Sequence, residues 1–242
     1  MRRVKFRAHK TCIPLLLGLF LCRGLSALTP ELTGLRASAA LAGEYDRAFF
    51  NCLTGATQGE AEFNRALSLG AGVEFGGLGL SQTYMTYQVN TFVSAGYAFP
   101  FKFPVSLGVS YQFNGLPGYR ENTHTLLPLV TLGNPWFGAS VGIACRWTSF
   151  FGEQPILETL GAYRIYVNPL RTARFQGGIV FSNFDEFRAK NFSAWSIALN
   201  TEVKLVKGFS LKNDLEFYQS GSRNLTANFY GILYRGGAAW TL

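Results

Sequence analysis

From Leu67 onward the chain alternates apolar and polar residues with a period of two, the mark of strands that turn one face toward nonpolar surroundings. Leu67, Leu69, Ala71, Val73 and Phe75 oppose Ser68, Gly70, Gly72 and Glu74. Val105, Leu107, Val109, Tyr111 and Phe113 oppose Ser106, Gly108, Ser110 and Gln112. Phe137, Ala139, Val141, Ile143, Cys145 and Trp147 oppose Gly138, Ser140, Gly142, Ala144, Arg146 and Thr148. The rhythm runs on to Tyr230, Ile232, Tyr234, Gly236, Ala238, Trp240 and Leu242, set against Gly231, Leu233, Arg235, Gly237, Ala239 and Thr241. Strands are predicted to start near residues 64, 88, 104, 125, 136, 157, 172, 191, 209 and 225. The strand from Thr125 to Leu132 is the weakest of them because it contains Pro128. The expected fold is all-β, an antiparallel barrel of ten strands, with eight or twelve as the alternatives.

Residues 28–62 carry a different pattern. Thr29-Pro30-Glu31 has the form of a helix start, and Leu32, Leu35, Ala39 and Ala42 recur at helical spacing before Gly43. A short, partly helical N-terminal extension is expected over 28–62, lying outside the barrel or folded into it as a plug. The barrel itself is expected over 63–242.

The position of the charges separates a membrane barrel from a soluble sandwich. Glu74, Arg146, Glu158, Arg164, Arg174, Glu202, Lys204, Lys212, Asp214, Glu216 and Arg235 all fall on the face opposite the aliphatic and aromatic one. Phe99, Phe113, Phe137, Trp147, Phe181, Trp195, Phe209, Phe217 and Trp240 gather near strand ends. A charge-free outer face with aromatic ends suits lipid, where Arg or Lys at mid-depth costs roughly 2–4 kcal/mol. The eleven charged residues are then expected to line the interior as a pore. Short connections at 133–135, 168–171 and 206–208 alternate with mostly longer ones at 114–124, 151–155, 183–190 and 219–224, the rhythm of short inner turns and long outer loops. An open sheet edge in hydrocarbon leaves backbone groups unpaired. The last strand is therefore expected to close against the first, near Leu67.

Composition adds that 48% of the 242 residues are hydrophobic and that 27 are glycine, enough for one large all-β domain. The net charge of +8 suggests nucleic acid until it is located. Arg2, Arg3, Lys5, Arg7, Lys10 and Arg23 all precede residue 28, leaving 16 basic against 14 acidic residues, so nucleic-acid binding is not expected. That basic start, the apolar run from Ile13 to Leu21 and the exit at Ser26-Ala27 have the layout of a secretory signal peptide over residues 1–27, cleaved after Ala27. Cys52 and Cys145 remain after cleavage, either bridged or, for Cys145, a thiol on the apolar face.

Candidate chemistry is sparse. His124 is the one histidine beyond the signal, expected in a loop, and a pairing with Asp185 or Asp46 is the only hydrolytic arrangement available. Asp185-Glu186 reads as a solvated loop tip. No enzyme activity, metal or cofactor is expected.

Arg235-Gly-Gly237-Ala-Ala-Trp240-Thr-Leu242 resembles the C-terminal assembly signal of bacterial outer-membrane barrels, with Leu242 where phenylalanine is commoner. With the strand rhythm, the chain is similar in layout to small porin-like and OmpW-like proteins. Residues 39–43, Asp46, Phe49 and Asn51 faintly resemble the region before the barrel in FadL-like transporters, with Asn51-Cys52-Leu53 replacing that family's Asn-Pro-Ala. The resemblance implies residence in the outer membrane, contact with its lipid, and delivery by the barrel-assembly machinery through Arg235, Gly237, Trp240 and Leu242. The function it implies is passive passage of small solutes. The alternative is a non-conducting structural barrel whose outer loops bind host or matrix molecules.

Overall fold

The computed structural model describes residues 31–46, 51–78, 86–101, 104–117, 121–150, 156–187, 195–206, 208–220 and 229–242. They form strands β1 (Leu32–Asp46), β2 (Asn51–Phe63), β3 (Leu67–Leu78), β4 (Thr86–Phe99), β5 (Val105–Leu116), β6 (Glu121–Gly133), β7 (Phe137–Phe150), β8 (Ile156–Arg171), β9 (Phe175–Ser182), β10 (Trp195–Val206), β11 (Phe209–Ser220) and β12 (Phe229–Thr241). Each strand pairs with its neighbours in sequence, and β12 returns to pair with β1, so the sheet is one closed barrel. The signal segment and its cleavage site lie outside the described residues.

Twelve strands, the upper alternative, replace the expected ten, and among the described residues there is no helix. The expected extension over 28–62 is corrected to β1 and β2. Ala39 and Ala42, which share a helical stripe in the sequence, lie on opposite faces of β1, with Ala42 only 3% exposed in the interior. Alanine and glycine are poor strand formers. At Ala42 a small side chain leaves room for Arg235, which stands opposite it on β12 and reaches across the interior to Glu74. Residues 39–43, Asp46 and Asn51 are thus part of the barrel wall and do not precede it.

Closure is therefore between β12 and β1, not between β12 and the strand at Leu67. Trp240 is opposite Ala37 and Arg235 opposite Ala42, and the Leu242 amide donates to the Leu35 carbonyl at 2.9 Å. With the two end strands paired, the sheet has no free edge.

The outer face is apolar on every strand. Leu41, Leu53, Val73, Val93, Leu107, Val130, Val141, Ile165, Ile179, Leu199, Leu215 and Ile232 are all exposed there, one from each strand in order. An apolar belt running right round a molecule far exceeds the patches that soluble monomers carry.

Connections at one end are tight. Asn64 and Arg65 both take left-handed backbone angles, φ 51° and 56°, in the β2–β3 turn. Such a turn matches the twist of paired strands, and the Arg65 amide donates to Thr33 Oγ1 at 3.0 Å. Gly208, at φ 78°, makes the β10–β11 turn. Pro128 is accommodated within β6 because pairing with β7 lapses between Leu126 and Leu129, where a missing N–H breaks nothing, while pairing with β5 continues.

Deleting residues 32–46 removes the partner of β12. The expected outcome is loss of the heat-modifiable band on detergent gels and of β-rich circular dichroism. A truncated chain that still gave both would show that β2 can close the barrel alone.

Candidate functional site

The interior face carries the site, and its glycines are sockets for rings from adjacent strands. Phe92 lies over Gly72, Tyr166 over Gly138 and Tyr218 over Gly231, and a Cβ at any of these glycines would collide with the ring. The small residues on Gly70, Gly72, Gly138 and Gly142 thus do not leave an open side to the lumen.

Part of the remaining space is taken by residues 183–187, which follow β9 and leave the wall. Asn183 sets the departure point. Its side-chain amide donates to the Gly161 carbonyl at 2.8 Å and accepts from the Tyr163 amide at 2.9 Å, continuing the ladder of β8 as the backbone turns inward. Phe184 is 5% exposed and packs among Leu127, Ala144, Leu160 and Ala162, with the Arg164 guanidinium 4.8 Å from its ring centre. Phe187 is 3% exposed and meets Phe92 edge-on at 5.1 Å, beside Ala56. Burying two such rings stabilises the inward position by roughly 3–6 kcal/mol relative to leaving them in water.

Side-chain amides from β5 hold the same segment by its backbone. Gln112 Nε2 donates to the carbonyls of Asp185 and Glu186 at 2.9 and 3.1 Å, and Asn114 Nδ2 donates to that of Phe187 at 2.8 Å. Glu186 pairs with Arg164 at 3.6 Å. Two expectations are corrected together: Asp185-Glu186 is not a solvated tip, and the segment folded into the lumen is this one, not residues 28–62.

A polar relay ties the segment to the far wall. Arg235 on β12 pairs with Glu74 on β3 at 3.5 Å, passing over Ala42 and Thr54 on the strands between. Glu74 is fully buried and accepts from Asn90 Nδ2 at 2.7 Å, and Asn90 Oδ1 accepts from Asn114 at 3.0 Å. Asn114 then reaches the Phe187 carbonyl. A second pair joins Arg36 on β1 to Glu202 on β10 at 3.1 Å, and Ser210 also donates to Glu202 at 2.7 Å. Arg146 and Glu158, opposite each other on β7 and β8, bond at 3.0 Å.

Between the inward segment and the wall of β8 to β12 and β1 lies a cavity of about 400 Å³. Six of the eleven residues expected to line the interior border it: Arg164, Glu202, Lys212, Asp214, Glu216 and Arg235. Of the others, Glu74 is in the relay, Arg174 is exposed in the β8–β9 turn and Lys204 is exposed on β10. The structure adds Arg36, Asp185 and Glu186 to the lining. Arg36 was visible in principle, since it is in phase with Ser38, Ala40 and Ala42. The signal for the acidic pair was the phenylalanine on either side of it.

His124 is not in a loop. It lies on β6 and points outward, stacked on Trp147 at 5.4 Å and 9°, with Phe113 at 5.2 Å and its Nδ1 bonded to the Tyr111 hydroxyl at 2.7 Å. The barrel wall stands between it and Asp185. The Asp46 side chain lies outside the described residues. Cys145 is a free thiol, and the side chain of Cys52 also lies outside the described residues.

No family model and no curated protein matches the chain in sequence. Its fold is similar to that of the NanC porin, with a TM-score of 0.57 and 11% identity over 84% of this chain and 100% of that one. It is also similar to the translocator domain of the autotransporter NalP from Neisseria meningitidis, with a TM-score of 0.50 and 10% identity over 94% and 95% of the two chains. At such identities the likeness is one of fold: the chain is a closed antiparallel β-barrel like those of these two proteins.

Removing one partner of a buried pair strands the other, at a cost of about 3–5 kcal/mol. Glu74→Ala is expected to lower the urea midpoint of unfolding in detergent accordingly, whereas Glu74→Leu combined with Arg235→Met recovers most of the loss. Equal midpoints for Glu74→Ala and the parent would show that the relay does not hold the fold.

Proposed function

We propose that the barrel sits in the outer membrane and provides a narrow route for the passive passage of small polar solutes. The observation that carries this reading is the charged cavity of about 400 Å³ left beside the inward segment. A purely structural barrel of this size gains by filling its interior with apolar side chains or matched ion pairs. This one packs Phe184 and Phe187 against β4 to β8 and leaves a space bordered by charged side chains beside β8 to β12 and β1. The apolar belt supplies the lipid contact. Trp240 and Leu242 stay exposed on the outer face, available to assembly machinery before insertion.

The segment 183–187 acts as the constriction in this reading. Phe184→Ala combined with Phe187→Ala empties its two sockets and is expected to raise single-channel conductance in planar bilayers several-fold, with the barrel still heat-modifiable. Folded protein that never conducts, with or without these substitutions, would defeat the channel reading and leave the non-conducting surface barrel.

A further inference from the structure

Four interior cations are matched to carboxylates: Arg36 with Glu202, Arg146 with Glu158, Arg164 with Glu186 and Arg235 with Glu74. Lys212 and Asp214 are different. They stand two residues apart on β11, both face the cavity, and among the described residues neither makes a hydrogen bond or an ion pair. Directly opposite Asp214 on β10 is Asn200, whose Oδ1 is buried without a partner. Leaving a buried acceptor unsatisfied costs about 1–3 kcal/mol. Glu202 stands opposite Lys212 on β10 and Arg235 opposite Asp214 on β12, but each of those is in direct contact with another residue. A cation and an anion without a direct side-chain contact and an orphan acceptor therefore converge on one space.

We infer that Lys212, Asp214 and Asn200 form a binding site for a small zwitterion of the α-amino-acid type, with the ligand carboxylate on Lys212 and its ammonium on Asp214 and Asn200. Residues two apart on a strand share one face, and an α-amino acid carries its ammonium and its carboxylate on a single carbon, so one ligand can meet both side chains from the cavity. The ammonium supplies three donors, enough for Asp214 and for the empty Asn200 acceptor. The cavity is at the small end of the ~300–1,000 Å³ range of small-molecule pockets. Glu186 of the inward segment lies within electrostatic reach of both Lys212 and Asp214, so the constriction and the site share one space. A polyanion has no such match, because carboxylates alternate with the cations around the same wall.

This assignment rests on the channel reading only for access to the cavity, and two measurements keep them apart. Calorimetric titration of the full-length barrel, folded in detergent, with glycine and alanine reads the site; conductance in planar bilayers reads the channel. Saturable binding of the amino acids is expected, with no binding of acetate, ethylamine or glycerol at the same concentrations. Lys212→Met and Asp214→Asn should each weaken binding by at least about tenfold, the loss of one charged contact. Lys212→Arg should retain it. Conductance without saturable binding, or binding unchanged in both charge-removing variants, overturns the site and leaves the channel standing. Binding without conductance supports the site and removes the channel.

Discussion

Everything inside this molecule follows from the pairing of β12 with β1. A sheet closed by twelve strands is wider than the eight-stranded cylinder whose interior wall side chains can just fill. Once the last edge is sealed, the lumen must be occupied by something other than the wall. Two solutions are used together. Glycines on one strand receive aromatic rings from the next, as Gly72 receives Phe92, and a whole connection, residues 183–187, is drawn in from the loop end.

The drawn-in segment brings buried peptide groups with it, and each needs a partner. Gln112 and Asn114 answer the carbonyls of Asp185, Glu186 and Phe187, while Asn183 answers the groups on β8 that β9 no longer reaches. The requirement then spreads outward. Asn114 is oriented by Asn90, Asn90 by Glu74, and Glu74 by an arginine from the opposite wall. That arginine stands opposite Ala42, whose small side chain leaves it room to cross although alanine disfavours strands. A local composition that looks unsuited to a sheet is set by a contact made above it.

This explains which parts of the structure could be read from the chain. Alternation is a property of one strand and its two environments, so β3 to β12 and the charge-bearing face were legible, with ends displaced by a few residues. β1 and β2 were not, because their alternation is between small residues of similar polarity, and Leu35, Ala39 and Ala42 fit a helix as well. The fate of Asp185-Glu186 depends on sockets made by Leu127, Leu160 and Phe92, distant in sequence, and nothing local to a charged connection says which way it folds. His124 was misplaced because the glycine and proline just before it mark a loop, whereas β6 already begins at Glu121. Its aromatic neighbours come from β5 and β7, beyond the reach of any local pattern.

The alternation of sign around the cavity has a consequence for selectivity. Opposite charges a few ångströms apart cancel at distances beyond about a Debye length, ~8 Å at physiological salt. Such a lumen does not draw in ions of one sign from the bulk, as a cleft lined by a single sign does. Discrimination must then arise at contact, from where each donor and acceptor stands along the wall. The ion pairs Arg36–Glu202 and Arg235–Glu74 are already matched in charge and offer a solute less than an unpaired group does. What remains to distinguish one small solute from another includes Asn200, Lys212 and Asp214, which lie together on β10 and β11 and face the cavity.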